Sequence, residues 1–379
     1  MSGRNLHNEP FDESTLTKLD LYRRYVRAWL PVFLNAQNLV VDRMQIFDFF
    51  AGPGQDENGI SGSPLIALEE IDLALKNNHK NNPEIHLYLN EYMHKKYEKL
   101  KTVCETSNYA AKVHLHFLNE DFPVAFRIWR DEFQNKRGSR FKTANLLFLD
   151  QNGTKQITKD VFYTIVFAER TDFLFFVSSS YINRFKTQPQ NSAGTPLEGC
   201  DLSGMTTKTS HRILCDAYKE RWLPKGYEYY IAPFSLAKDN GSNVYGLIFG
   251  SGHPAGIDRF LKICWEEDAI AGAANFDIDN ERIDLNQMTL WDSINVPNKL
   301  QVFERHLKER VLARALRTNI DVYKYALGEA CRASHAKAVL ERMVADKELP
   351  KQQFSLSYTS CGLRGSIPKS ILFFEKGTK

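Results

Sequence analysis

Long apolar runs are missing from this 379-residue sequence, and none approaches the roughly 20 residues that a membrane-spanning helix requires. The first residues, MSGRNLHNEPFDE, are polar and acidic and contain no apolar segment of the kind that a signal peptide carries. Both absences argue against a membrane or secreted protein. We therefore expect a soluble protein of the cytoplasm.

Closely spaced cysteines are also missing. The six cysteines are scattered, and no two of them lie at the spacing of a CxxC motif. Their distribution argues against a zinc knuckle, an iron–sulfur site or a disulfide framework, and it suits a reducing compartment. We expect no metal site. The cysteines are Cys104, Cys200, Cys215, Cys264, Cys331 and Cys361.

The net charge of +3 is small, but its distribution along the chain is uneven. Residues 301–379 contain 15 Lys or Arg and 8 Asp or Glu, a local charge of +7, so the rest of the chain (34 basic, 38 acidic) carries −4. Most charge runs are solvated faces. A basic excess confined to one candidate domain also suits contact with a polyanion such as nucleic acid.

The N-terminal segment, residues 1–40, is predicted to be helical. Apolar residues recur at alternating steps of three and four over 14–36, which places them on one face of a helix. These residues are Leu19, Tyr22, Val26, Trp29 and Phe33.

Residues 41–300 alternate between apolar strand patterns and helical patterns. Five strands are predicted at QIFDFF, IHLYLNE, VHLHFLNED, ANLLFLD and DFLFFVSSS, with helices between them. Two further strands, YEYYIAPFSL and NVYGLIFGS, are joined by AKDNG, a connection so short that they must form an antiparallel hairpin.

The order of these elements predicts an α/β fold with a Rossmann-like sheet of the class I methyltransferase type, mostly parallel with an antiparallel last strand. The segment 187–222 is rich in Gly, Ser and Thr before a helix, which predicts an insertion or mobile loop.

Residues 301–379 have a different character. Three helical patterns, the first of them basic, are followed by FSLSYTS and KSILFFE around a glycine-containing turn. This order predicts a C-terminal winged helix-turn-helix domain. Its candidate nucleic-acid contacts are Arg332, Lys337, Arg342, Arg364 and Lys369. Winged helices also mediate protein contacts, so that role stays open.

A glycine turn follows the first strand and marks a candidate cofactor site. Asp48 closes the strand and is followed by Ala51, Gly52 and Gly54. Glycine lets the backbone approach a ligand closely, and the carboxyl edge of a parallel sheet is where cofactors bind. The alternative interpretation is an ordinary tight turn.

Two acidic residues strengthen the cofactor interpretation. Glu91 ends the second strand, where a carboxylate accepts the hydroxyls of a ribose. Asp121 ends the third, where it would accept the adenine amino group or, alternatively, cap the next helix. The third glycine of a dinucleotide motif is absent, and Asp56 and Glu57 follow the turn. Acidic residues disfavour a pyrophosphate and suit the cationic S-adenosylmethionine (SAM).

The fourth strand ends in the candidate catalytic residues Asp150, Gln151 and Asn152. A carboxylate and two amides at this position can orient an amine or amide nucleophile and accept its proton. The alternative is a turn, which Asp, Asn and Gly favour. Ser178–Ser180, at the end of the fifth strand, line the substrate side or cap the next helix.

The sequence resembles the three-Cys-motif partner protein family. The resemblance is carried by FDFFAGPG with GSPLIALE, by LLFLDQNG, by YGLIFGSGHPAGIDRFLKICWE, and by the N-terminal helix with Lys18, Tyr25 and Trp29. It implies a SAM-methyltransferase-like fold and a functional partner that carries a three-cysteine, radical-SAM-type motif. Family members commonly have LDP where this chain has Leu149-Asp150-Gln151.

Three functions are consistent with these patterns. The first is a SAM-dependent methyltransferase that acts on or with nucleic acid and is directed by the winged helix. The second is a non-catalytic binding or regulatory subunit of a multi-protein, defence-like complex. The third is a methyltransferase for a small molecule or a protein.

Overall fold

The structure, a computed structural model, describes residues 10–36, 41–77, 80–109, 113–136, 142–151, 156–179, 192–238, 243–275 and 298–358. The chain divides into two compact units, Met1–Gly252 and His253–Lys379. The sequence predicted a boundary between residues 300 and 301. The boundary between the two compact units lies earlier, after Gly252, because the helix that follows Gly252 belongs to the same unit as the C-terminal helices.

The N-terminal segment forms one long helix, α1 (Glu13–Leu34). Asp12 caps its start by accepting a hydrogen bond from Thr15 N at 2.8 Å. The predicted apolar stripe is the buried face, and a charged residue, Lys18, lies buried within it. Of the predicted stripe, Leu19, Tyr22, Val26 and Trp29 are buried and Phe33 is half-buried, and Tyr25 also lies on the buried face.

Seven strands form one sheet in the order β3-β2-β1-β4-β5-β7-β6. The first five pair in parallel, and β7 runs antiparallel to both β5 and β6. This is the class I methyltransferase sheet. The strands are β1 (Arg43–Asp48), β2 (Glu84–Asn90), β3 (His114–Leu118), β4 (Thr143–Asp150), β5 (Thr171–Val177), β6 (Tyr230–Lys238) and β7 (Asn243–Ser251).

Helices connect the parallel strands, as the alternating pattern predicted. They are α2 (Ser63–Lys76), α3 (His94–Glu105), α4 (Phe122–Lys136) and α5 (Lys159–Val166). A further helix, α6 (Ser210–Ala217), continues into a π-helical turn, Tyr218–Trp222, before the final hairpin.

The sheet is covered on both faces, and the period of two along each strand decides which residue faces which layer. Phe148 of β4 lies against Tyr22 of α1, with ring centroids 4.4 Å apart. Phe47 of β1 has the opposite parity and packs against Trp129 of α4. Asp48 and Asp150 share the parity of Phe148, so both carboxylates belong to the α1 face.

The predicted insertion, residues 187–222, is packed where the structure describes it. Leu197, Leu202 and Met205 are buried in the same cluster as Phe162 of α5 and Trp222. The Gly-, Ser- and Thr-rich composition predicted a loop but gave no sign of these three apolar anchors. Residues 187–191 lie outside the described residues.

The C-terminal unit contains four described helices: α7 (Pro254–Glu267), α8 (Lys299–Leu312), α9 (Asn319–Gly328) and α10 (Ala333–Ala345). The last three match the predicted helices. Residues 354–358, the start of the first ribbon strand predicted at 354–360, are not a strand. Residues 359–379 lie outside the described part of the chain, so the winged-helix assignment stays a prediction.

Among the described residues, no helix is both long and apolar enough to cross a membrane.

Two tyrosines on α1 give a matched test of this packing. Tyr22 and Tyr25 are both fully buried, but the Tyr22 hydroxyl has no hydrogen-bond partner among the described residues. Tyr25 Oη donates to Asp172 Oδ2 at 2.7 Å. Tyr22→Phe should therefore leave the free energy of unfolding unchanged or raise it by about 1 kcal/mol, because an unsatisfied polar atom is removed.

Tyr25→Phe should lower the free energy of unfolding by about 1–3 kcal/mol, since a hydrogen bond to a carboxylate is lost. Urea titrations of both variants measure the difference. Equal destabilisation by the two substitutions would contradict the predicted contrast.

Candidate functional site

The turn after β1 has a shape that depends on glycine. Gly52 and Gly54 have φ angles of +62° and +88°, which lie in the left-handed region. Gly62 N donates to Gly54 O at 2.8 Å and closes the loop, and a Cβ on Gly62 would lie 3.0 Å from that oxygen. The backbone of this loop is therefore tightly curved, and it leads directly into the first residue of α2, Ser63.

Asp48 lies at the base of this loop and is fully buried. Its carboxylate accepts hydrogen bonds from Ser63 Oγ at 2.6 Å and from Phe50 N at 3.1 Å. Burial raises the pKa of Asp48 from 3.8 to about 7; Asp150 adds to the rise, while these two hydrogen bonds and Lys18 oppose it. Asp48 therefore changes its charge near neutral pH.

Asn90 joins three strand ends, a role that the sequence analysis missed. Its side-chain amide donates to Phe49 O at 3.1 Å and to Glu120 O at 3.0 Å, and its Oδ1 accepts from Glu120 N at 3.1 Å. Its carbonyl also accepts from Ala51 N at 2.9 Å. The predicted cofactor residues after β1, β2 and β3 are therefore on one hydrogen-bonded edge.

Glu91 is buried at this edge, immediately after β2. Its Oε1 accepts from Met93 N at 2.7 Å, which fixes the carboxylate, and no other hydrogen bond to it occurs among the described residues. The next two side chains are apolar and uncovered: Tyr92 is 72% exposed and Met93 46%. A fixed acceptor beside two uncovered apolar side chains suits a ligand that combines hydroxyls with a flat apolar ring.

Asp121 is exposed and accepts a hydrogen bond from Val124 N at 3.2 Å. This is the helix-capping geometry that the sequence analysis gave as the alternative. The carboxylate is therefore already engaged at the start of α4, and its contact with an adenine stays a prediction.

The predicted catalytic edge carries an ion pair. Lys18 Nζ of α1 lies 2.5 Å from Asp150 Oδ2 and 4.4 Å from the centroid of the Phe176 ring. Gln151 is buried; its Oε1 accepts from Gln156 N at 3.0 Å, and its Nε2 has no partner among the described residues. Asn152 lies outside the described residues.

Lys18 is the second residue that the sequence analysis missed as part of the site. A signal was present, because Lys18 lies four residues before Tyr22 on the otherwise apolar face of α1. A lysine on a buried stripe requires a counter-charge. The sequence did not indicate which carboxylate supplies it.

Of the Ser178–Ser180 segment, Ser178 is half-buried, and Ser180 lies outside the described residues. Ser179 is fully buried, and its hydroxyl is 2.7 Å from Nδ1 of His211, which is also fully buried. His211 Nε2 lies 3.0 Å from Leu247 O. Burial lowers the pKa of His211 to about 4, so the ring is neutral and this pair links β5, α6 and β7.

In the C-terminal unit, two of the predicted nucleic-acid contacts have acidic neighbours. Lys337 is exposed and lies 3.7 Å from Glu341, and Arg342 is exposed and lies 2.5 Å from Glu304. Arg332 is half-buried just before α10. Arg364 and Lys369 lie outside the described residues. No cluster suited to a metal ion is found in the described part of the chain.

No protein-family model and no curated protein sequence matches the chain. Solved structures with which it shares similarity include a protein of Pyrococcus horikoshii described as a transferase (10% identity, TM-score 0.28, 63% of this chain and 63% of that one). Another is the 16S rRNA methylase ArmA, with 12% identity and a TM-score of 0.27 over 64% of this chain and 88% of that one. A third is TYW2 of P. horikoshii in complex with MeSAdo, with 12% identity and a TM-score of 0.26 over 63% of this chain and 62% of that one.

The charge change of Asp48 leads to a prediction on stability. Its pKa in the folded protein, about 7, lies above its ordinary 3.8, so between these values the folded state holds a proton that the unfolded chain has lost. The contribution of this bound proton to the free energy of unfolding is complete below pH 3.8. It decreases as the pH rises and is lost once the pH has passed about 7. The loss is up to about 4 kcal/mol, from 1.4 kcal/mol per pKa unit.

Asp48→Asn removes this dependence, because the amide does not titrate. The free energy of unfolding of Asp48→Asn relative to the wild type should rise between pH 5 and pH 8, by about 2–4 kcal/mol. Urea titrations at several pH values test this, with the exposed Asp160→Asn as a control. A difference that stays constant with pH would show that Asp48 ionises normally.

Proposed function

We propose that the protein is a SAM-dependent methyltransferase that acts on or with nucleic acid. The observation that carries the proposal is the edge at which the glycine turn, buried Asp48 and Glu91 are joined through Asn90. A nucleoside cofactor requires these groups together: a closely approachable backbone, an acceptor for the ribose hydroxyls and an acidic lining for a cation.

The residues present fit the cofactor. Glu91 would accept the ribose hydroxyls through the oxygen that Met93 N does not engage. The exposed Tyr92 and Met93 would cover the adenine ring, and the backbone of Ala51, Gly52 and Gly54 would border the methionine part. When bound, SAM would supply an electrophilic methyl group on a sulfonium.

The protein's own contribution at the acceptor side is orientation. Asp150, held by Lys18, offers a hydrogen-bond acceptor to an N–H of the methyl acceptor. Gln151 Nε2 is a buried donor that lacks a partner among the described residues, so it suits a carbonyl or ring nitrogen of the same group. Asn152 would extend this set. Positioning of this kind supplies much of the rate in a direct methyl transfer.

Glu91→Gln tests the cofactor proposal. Glutamine keeps an oxygen for Met93 N but replaces the other acceptor with an N–H donor, so SAM affinity should fall by about 10- to 100-fold. Titration calorimetry measures the affinity, and Glu98→Gln, an exposed residue of α3, is the control. Absence of SAM binding by the wild-type protein would refute the proposal.

Transfer itself is tested with radiolabelled SAM and total cellular RNA and DNA. Label is expected in a nucleic-acid fraction, and Asp150→Asn should reduce its incorporation. A protein that binds SAM but labels no nucleic acid would leave the cofactor proposal intact and would overturn the choice of substrate.

The nucleic-acid role depends on the basic C-terminal unit. Lys337→Ala should weaken the binding of duplex RNA or DNA about equally for all sequences and reduce the slope of log K against log salt by about one. Lys76→Ala is the matched control, because Lys76 is also exposed and pairs with an acidic residue one helical turn away, Asp72. Identical slopes for both variants would argue against binding through α10.

The partner is proposed from the family resemblance: a protein with a three-cysteine, radical-SAM-type motif, required for or stimulating the transfer. The second candidate function, a non-catalytic subunit of a multi-protein complex, is favoured by one observation. Lys18 already engages the carboxylate that would meet the substrate. Transfer assays with and without the partner distinguish the two functions.

A further inference from the structure

We propose that Lys18 is a positioning residue that sets the charge state of Asp48 at the cofactor edge, so that a cationic ligand binds there with the release of a fraction of a proton from Asp48. The inference rests on the proposed cofactor site and concerns how that site is regulated. It begins from an imbalance of charge: two carboxylates, Asp48 and Asp150, lie on one face of two adjacent strands, and one lysine faces them.

The register of the sheet explains why the two carboxylates interact. Asp48 pairs with Phe148, so Asp150 lies two residues further along β4 on the same face. Both are on the side covered by α1, where Lys18 binds Asp150 directly. The Lys18–Asp150 pair is neutral as a unit, which leaves Asp48 as the group that decides the net charge of these three side chains.

Among the described residues, the other groups that interact with Asp48 carry no charge at pH 7, apart from Lys18 and Asp150. Tyr22 of α1 and Cys104 of α3 interact with it but stay neutral, because burial raises the pKa of Tyr22 well above its usual 10 and that of Cys104 to about 12. Ser63 of α2 donates a hydrogen bond and carries no charge. Asp150 favours the protonated form of Asp48, and Lys18 favours the ionised form.

Lys18 is held firmly enough to act as a fixed charge. The start of α1 and the residues just before it are attached to the rest of the unit at two further points: Phe11 N donates to Asp56 Oδ2 at 3.0 Å, and Ser14 Oγ is hydrogen-bonded to Tyr245 Oη. Asp56 belongs to the glycine loop. The N-terminal end of the helix that carries Lys18 is therefore attached to the glycine loop and to β7, and Lys18 itself is attached to β4.

The consequence is linkage between proton and ligand. Near pH 7 the cluster of Asp48, Asp150 and Lys18 is a mixture of neutral and singly negative forms, because the Asp48 pKa is about 7. A ligand with one net positive charge, such as SAM with its sulfonium, ammonium and carboxylate, favours the negative form. Binding should therefore release a fraction of a proton at pH 7 and less at higher pH.

Four variants distinguish the expected changes: one should raise the pH midpoint of proton release, one should lower it, and two should leave it close to that of the wild type. Lys18→Met removes the charge that favours ionised Asp48, so the pH midpoint of proton release should rise by about one unit. Asp150→Asn removes the opposing charge, so the midpoint should fall. The double variant removes a neutral pair and should return close to the wild type. Lys18→Arg keeps the charge and should also behave like the wild type.

The measurement is calorimetric titration of SAM in two buffers of different ionisation enthalpy between pH 6 and pH 9, which counts the protons released. Lys76→Met is the control for loss of an exposed lysine–aspartate pair. A midpoint that does not move in Lys18→Met while Lys18→Met remains folded would overturn the inference, even if SAM binds.

A second readout needs no ligand and covers the case in which Lys18→Met is too unstable to titrate. The free energy of unfolding is measured against pH for the Asp150→Asn variant and for the double variant, each with and without the additional change Asp48→Asn. The difference within each pair gives the pH midpoint at which Asp48 ionises. A lower midpoint in Asp150→Asn that returns close to the wild-type value in the double variant supports the inference, and equal midpoints in Asp150→Asn and the wild type would overturn it. If the wild type binds no SAM but these shifts appear, the proposed function fails while the charge assignment stands.

Discussion

The buried charges at the carboxyl edge of the sheet constrain the rest of the molecule. Strands β1 and β4 end in Asp48 and Asp150 on the same face, and isolated carboxylates are costly in a low-dielectric interior. Hydrogen bonds from Ser63 and the Phe50 amide stabilise Asp48, and the ion pair with Lys18 stabilises Asp150. Because Lys18 comes from α1, the helix before the sheet is a component of the edge and not merely a cover.

This arrangement links architecture to chemistry. Asn90 fixes the ends of three strands, and the glycine loop that follows β1 is closed by the bond from Gly62 to Gly54. The backbone around the candidate ligand position is therefore rigid, while the charge there is adjustable. A rigid acceptor at Glu91 and a titratable acid at Asp48 can serve recognition and response in the same site.

Much of the fold was predictable because periodicity is local. The steps of three and four in α1, the alternation of strands with helices, and the four-residue link between β6 and β7 each follow from a few neighbouring residues. The described part of 187–222 was harder. Its buried Leu197, Leu202 and Met205 are spaced irregularly, and irregular burial leaves no period in the sequence.

The sequence by itself determined which strands carry polar ends, and therefore that Asp48, Glu91 and Asp150 lie at one edge. Only the tertiary structure decided that Lys18 is the partner of Asp150, whereas the contacts of Glu91 with Met93 N and of Asp121 with Val124 N are local. The reason is physical. A strand's direction and facing follow from its own pattern, whereas the charge state of a buried group depends on residues more than a hundred positions away that folding brings within hydrogen-bonding distance.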